Sequence, residues 1–154
     1  MKYLLDTNVV SELVAKAPNA EVVKWLDALD PECVYLSVIT IGEISKGVEK
    51  LPECLRKDKL RSWLNNELLQ QFAGRMLVLD TATMVFWGEL SARLERQGVS
   101  LPAIDSLIAA QTLMNQCTFV TRNTIHFLAA GVTLINPWDA PQLDRPYRLN
   151  DRPN

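Results

Sequence analysis

The chain has 154 residues, enough for one domain with a substantial core, and its 48% hydrophobic and 22% charged residues are ordinary for a soluble globular protein. A net charge of −2 excludes a chain that draws nucleic acid by overall electrostatics, so any such contact has to be local. No apolar run approaches the roughly 18–20 residues that a membrane helix needs, and Asp6 interrupts the N-terminal apolar stretch before a signal-peptide layout is complete.

Cys33, Cys54 and Cys117 are odd in number, far apart and outside any Cys-x-x-Cys spacing, which suits a reducing cytoplasm and not a disulfide framework. His126 is the single histidine, which excludes a multi-histidine zinc site; it is expected at the surface or in a loop.

Tyr3-Leu4-Leu5 predicts a short buried strand, and Asp6 stands where that strand runs out. A short helical stretch follows from Val9 to about Ala15, closed by Pro18-Asn19. Val22, Val23, Leu26 and Leu29 fall at helical spacing and predict a helix over roughly Ala20 to Leu29, ended by Asp30-Pro31. Val34 to Val38 is β-rich and reads as a second buried strand. Thr40 then opens a helix with an Ile41, Ile44, Val48, Leu51 stripe, and Thr40 with Glu43 fits a capping box.

A longer helix is predicted over Leu55 to Phe72, carrying Arg56, Lys57, Lys59 and Arg61; the run is a candidate RNA-guiding face, and a solvated helix face fits it equally well. Met76 to Leu79 predicts a third strand, with Asp80 capping a helix from about Ala82 to Gln97 whose buried candidates include Val85, Leu90 and Leu94. Pro102 suits the first position of a helix through Ala103 to Ala110 that is apolar on more than one side. Thr118 to Thr121 and Val132 to Ile135 predict a fourth and a fifth strand, with a short turn near Ile125 to Leu128 between them. Strands alternating with helices, without hairpin signals, predict an α/β domain with a parallel sheet covered on both faces over residues 1–138. The proline-rich, charged segment 139–154 is expected to be an irregular tail.

Asp6, Glu43 and Asp105 each sit among apolar residues, in Leu-Leu-Asp, Ile-Gly-Glu-Ile and Ala-Ile-Asp-Ser-Leu-Ile. Burying an unpaired carboxylate is expensive. All three would be accounted for if they served helix N-termini, where a negative charge gains about 0.3–1 kcal/mol. The topology also brings them together. Asp6 follows the first strand, Glu43 follows the second, Thr121 and Asn123 end the fourth, and in a parallel sheet these ends share one edge. Asp105 can reach the same place from its own helix. Carboxylates gathered there repel, and a divalent cation removes the conflict. All-oxygen donors without histidine or cysteine select a hard ion such as Mg²⁺ or Mn²⁺, which points to phosphodiester chemistry. A Gly-x-x-x-x-Gly-Lys-Ser/Thr loop and a Gly-x-Ser-x-Gly elbow are both missing from the sequence.

The chain resembles a PIN-domain protein of the VapC toxin type, in its FitB-like branch. The resemblance runs from Met1 to Trp138 and rests on Leu5-Asp6-Thr7-Asn8, Glu43 in Ser-Val-Ile-Thr-Ile-Gly-Glu, Asp105 in Ala-Ile-Asp-Ser-Leu-Ile-Ala-Ala, Thr121-Arg122-Asn123 and Asn136-Pro137-Trp138. It implies a PIN-like, Rossmann-like three-layer sandwich with about five parallel strands. It also implies a toxin component of a type II toxin–antitoxin system, a Mg²⁺- or Mn²⁺-dependent endoribonuclease working in the cytoplasm. The expected partners are an RNA substrate, a second copy of the chain as a homodimer and a small VapB/FitA-like antitoxin, through which alone DNA is bound; no membrane is involved. By position, Asp6, Glu43 and Asp105 match the metal-binding and catalytic acids, and Asn8, Thr121 and Asn123 match supporting residues. Asp6 and Asp105 would hold one metal ion while Glu43 positions or deprotonates the attacking water, with Arg122 placed to contact phosphate. Family members often carry a fourth acid at the position of Asn123 or three residues later, where this chain has His126. The alternative is a weakly active or inactive PIN subunit acting mainly through antitoxin binding and operator regulation.

Overall fold

In a computed structural model of the chain, which describes residues 1–139, strand β1 (Lys2–Leu5) lies at the centre of a five-stranded sheet of order β3-β2-β1-β4-β5. Its partners are β2 (Val34–Ser37) and β4 (Cys117–Val120), with β3 (Met76–Leu77) and β5 (Leu134–Ile135) at the edges, and every pairing is parallel. The helices are α1 (Thr7–Glu12), α2 (Ala20–Asp27), α3 (Val38–Glu49), α4 (Leu55–Ser62), α5 (Leu69–Gln71), α6 (Thr81–Arg96), α7 (Ala103–Met114) and α8 (Thr124–Leu128). The irregular tail expected from 139 onward lies, beyond Asp139, outside the described residues.

Alternation along each strand divides the core in two. Leu4 and Phe119 pack on one face with Leu90 and Leu94 of α6, Ile108 of α7 and Phe127 of α8. Leu5 and Val120 pack on the other with Val9, Val10, Trp25, Ile44, Val48 and Leu68. A parallel sheet needs helices on both faces to bury such uniformly apolar strands, and the β-α connections supply them. The chain moves outward from β1 through β2 to β3 on one side and through β4 to β5 on the other. The carboxyl ends of β1 and β4 therefore flank the switch point where parallel sheets open a crevice.

The structure departs from the sequence-based expectations at several element ends. Helix α3 begins at Val38 because Ser37, the last residue of β2, caps it by accepting from the Ile39 N–H at 3.0 Å. The Thr40–Glu43 capping box therefore does not form. Thr40 is buried inside the helix, its hydroxyl without a hydrogen-bond partner among the described residues, and Glu43 lies in the second turn. The expected long helix from Leu55 is interrupted by a π-helical stretch over Trp63–Leu68, a wider turn that apolar spacing does not report. Val85 is 60% exposed and not part of the core. At 3.6 residues per turn it lies about 180° around α6 from the buried Leu94. Pro102 sits just before α7, at its N-cap position, instead of opening it.

Candidate active site

Asp6 ends β1 and caps α1, so one side chain does both jobs that its position allows. It is 9% exposed, and its Oδ1 accepts from the Thr7 N–H at 2.7 Å. Its Oδ2 accepts from Thr121 Oγ1 at 2.6 Å and from Asn8 Nδ2 at 2.8 Å. The register of β1 against β4 makes this possible, since Leu5 pairs with Val120 and the residues beyond them meet. Thr121 is fully buried, and its hydroxyl also accepts from the Asn123 N–H at 3.0 Å. Asn8 Oδ1 in turn accepts from the Arg122 N–H at 3.4 Å. Asp6, Asn8, Thr121 and the Asn123 backbone thus form one network at the switch point.

Glu43 reaches this edge from α3, and its Oε1 accepts from Thr7 Oγ1 at 2.9 Å. Asp105 comes from the first turn of α7 with its side chain 26% exposed, and its Oδ2 lies 3.5 Å from His126 Nδ1 on α8. The charge of Asp105 reaches both of the other acids. Burial pushes the Asp6 carboxyl above the usual carboxylate range and the charge of Asp105 adds to this, against the hydrogen bonds from Thr121, Thr7 and Asn8. Burial likewise raises Glu43, with the charges of Asp6 and Asp105 adding to the rise, against the Thr7 hydrogen bond and Lys46.

Sequence reasoning missed two participants. Thr7 is the hydroxyl that ties Glu43 to the Asp6 loop across 36 positions of sequence. His126, although exposed as expected, stands beside Asp105 on a short helix and not in a loop. Three cations of the basic run on α4 are used within the protein, while Lys59 is exposed. Lys57 is buried, donating to the Glu49 and Leu51 carbonyls at 3.1 Å and pairing with Glu53 at 2.6 Å. Arg61 holds both Glu49 carboxylate oxygens at 2.7 Å, and Arg56 reaches the Val14 carbonyl at 3.5 Å. Lys57 serves as a buried cap on the end of α3, neither an RNA guide nor a solvated residue. Arg122 joins the site by its backbone N–H, and its guanidinium lies 5.1 Å above the Trp138 ring.

Among the described residues, no three His, Cys, Asp or Glu side chains close around one point as a finished metal cage. The donor chemistry nonetheless fits a hard cation. The available ligands are carboxylate oxygens, burial and neighbouring negative charge raise the pKa of two of the three acids, and an added positive charge relieves both effects. An open set of donors also suits Mg²⁺, which retains waters in most protein sites.

The sequence profile of the PIN domain family matches residues 3–131. The plasmid stability protein StbB of Pseudomonas syringae pv. tomato is 43% identical over 89% of this chain and 99% of its own length. Toxin FitB of Neisseria gonorrhoeae is 40% identical over 88% of this chain and 97% of its own, and the VapC ribonuclease Y4jK of Sinorhizobium fredii is 36% identical over the same shares. The crystal structure of FitAcB from Neisseria gonorrhoeae contains a chain that superposes with a TM-score of 0.84 at 39% identity, covering 89% of this chain and 99% of that one. A FitAB complex bound to a DNA fragment gives a TM-score of 0.83 at 39% identity, over 88% of this chain and 95% of that one. With its parallel sheet, its acids at the switch point and these relatives, the chain belongs to the PIN-domain family, among the ribonuclease toxins of the VapC and FitB type.

Proposed function

We propose that the chain is the toxin of a type II toxin–antitoxin pair and cleaves RNA phosphodiester bonds as a divalent-metal endoribonuclease, with Asp6, Glu43 and Asp105 as its working acids. One observation carries this: Asp6 at the end of β1 and Glu43 of α3 are joined through Thr7 at the carboxyl edge of the sheet, with Asp105 of α7 near enough for its charge to act on both. The toxin and ribonuclease names of its relatives agree with that chemistry.

Asp6 and Asp105 are the residues that would hold the ion, with Glu43 at its side. When bound, Mg²⁺ or Mn²⁺ would polarise the scissile phosphate and neutralise charge that develops on it. The protein does the remainder. Thr121, Asn8 and the Thr7 N–H fix both Asp6 oxygens, so its carboxylate is aimed before any ligand arrives. Glu43, oriented by the Thr7 hydroxyl and raised in pKa, is suited to position the attacking water and take its proton. Asn123 offers an amide but no charge, so three acids serve. Arg122, steadied by Trp138, is placed to meet an RNA phosphate.

A groove lined by Val14, Ala15, Gly47, Leu51, Leu60 and Trp63 runs up to Thr7 and Glu43. Its apolar walls support docking of a small antitoxin against the active site, and DNA contact then falls to that partner. A homodimer and a cytoplasmic location complete the reading.

Purified protein incubated with total cellular RNA in Mg²⁺ or Mn²⁺ is expected to give discrete fragments, absent in EDTA. Asp105→Asn should lower the rate at least about a hundredfold, because several kcal/mol of charge stabilisation go with it. A variant that cleaves at the native rate overturns the assignment of Asp105. No cleavage by the folded native protein under either metal would favour the reading in which the subunit acts through its antitoxin, with the neutral Asn123 as the cause.

A further inference from the structure

The three acids are not held alike. Both oxygens of Asp6 are engaged by donors and Glu43 has the Thr7 hydroxyl, whereas Asp105 accepts no hydrogen bond among the described residues and has only His126 nearby at 3.5 Å. The place of the Asp105 carboxylate is therefore set by the backbone that carries it, the first turn of α7. That turn is exposed to fraying. Pro102 precedes it and supplies no side-chain cap, so the first N–H groups of the helix lack the usual acceptor.

What secures the turn comes from α6. Ser106, 5% exposed, donates its hydroxyl proton to the Ala103 carbonyl at 2.8 Å, closing the turn around Asp105 from within. The same oxygen accepts from Trp87 Nε1 at 2.8 Å, which fixes the hydroxyl so that its proton faces Ala103. The indole donor has one proton and the hydroxyl has one, so the chain Trp87 → Ser106 → Ala103 runs in only one direction. The Trp87 ring itself packs on the core formed by Leu90, Leu94 and Ile108, so the indole is anchored to α6 and to the sheet beneath.

We infer that Trp87 is a positioning residue for the reaction: acting through the Ser106 hydroxyl, it holds the first turn of α7 so that Asp105 stands ready to share a cation with Asp6. The inference rests on the metal-centre reading above and adds a residue that touches neither metal nor RNA. An α7 turn without this link has to be ordered when the ion binds, and that ordering is charged against affinity.

The test is Mn²⁺ binding to the full chain, read as the loss of the free-ion signal by electron paramagnetic resonance, with thermal melts in EDTA alongside. Trp87→Phe keeps the ring and removes the donor, and Ser106→Ala removes the relay. Each is expected to weaken Mn²⁺ binding about fivefold to tenfold. Ser106→Thr keeps the hydroxyl, which a helical threonine can still give to the carbonyl three residues back. The cavity of about 220 Å³ bounded by Trp87, Ser91, Ala103 and Ser106 leaves room for its methyl group. It should return the affinity to within about twofold of the native protein. Native affinity in both Trp87→Phe and Ser106→Ala overturns the proposal. So does a Ser106→Thr protein as weak as Ser106→Ala, which would assign the effect to packing. A native protein that binds no Mn²⁺ removes the metal centre itself, and is recognised because no variant is then needed to see the failure.

Discussion

Asp6 shows how folding changes the proton affinity of a single side chain. Burial raises its pKa and that of Glu43, while Glu49, Glu53 and Asp80 are lowered, the first by Arg61, the second by Lys57 and the third by the Thr83 hydrogen bonds. A carboxyl raised on folding binds its proton more tightly in the native state, so stability grows as pH falls from the raised value to the ordinary one and is lost as pH rises through that window. A lowered carboxyl contributes stability above its ordinary value and loses it as pH falls below. The two effects run in opposite directions on either side of the ordinary carboxylate values. In EDTA, the stability of the native protein relative to Asp6→Asn is therefore expected to decline as pH rises above the ordinary carboxylate range. Paired melting curves at closely spaced pH values check this. A difference that does not change with pH would mean that Asp6 carries no burial penalty. Thr7 belongs to the same scale: it reads as one more polar residue in Leu-Asp-Thr-Asn, and only the fold reveals that its hydroxyl serves Glu43.

The elements are built by handovers from strand to helix in which one residue ends the first and caps the second. Asp6 does this for α1, and Ser37 does it for α3. Ser37 is fully buried and its hydroxyl satisfies the Ile39 N–H, so Ser37→Ala strands that donor beneath the sheet edge. The expected cost is about 1–2 kcal/mol, or about 2–8 °C in Tm for a chain of this size. A melt shows it directly, and an unchanged Tm would mean that the cap is not needed. The same handovers explain what could be read beforehand. Strand cores were legible because Leu4-Leu5, Val34 to Leu36 and Phe119-Val120 are short apolar runs, and Asp80 was legible as a cap because a helix follows it at once. The start of α3 was not, since Ser37 and Thr40 are both good caps and the choice depends on where β2 stops pairing. Lys57 was misread for a related reason: its role depends on the α3 carbonyls folding back beside it, which no local pattern records.

At the scale of the whole molecule, the site exists only when the sheet is assembled. Asp6 comes from β1, Glu43 from α3 and Asp105 from α7, and β4 must be in register before Thr121 can hold Asp6. The parallel sheet was the most legible feature of all, because alternating elements without hairpin signals leave few other ways to pair the strands, whereas the strand order that sets the switch point came from the structure. The contact between His126 and Asp105 was not legible, because it depends on how α7 and α8 lie on their shared face. Since the unfolded chain scatters the acids, a cation that needs them together binds the native state alone and stabilises it by mass action. Mn²⁺ at about a hundredfold above its dissociation constant should add about 2.7 kcal/mol, raising Tm by about 5–10 °C at a pH where the acids are ionised. Asp105→Asn should forfeit most of that gain while melting near the native temperature in EDTA, because its side chain is partly exposed and accepts no hydrogen bond among the described residues. Calorimetry of the two proteins with and without Mn²⁺ separates a site assembled by the fold from adventitious surface binding. Equal gains in both proteins would place the ion away from Asp105 and leave the gathered acids without their metal.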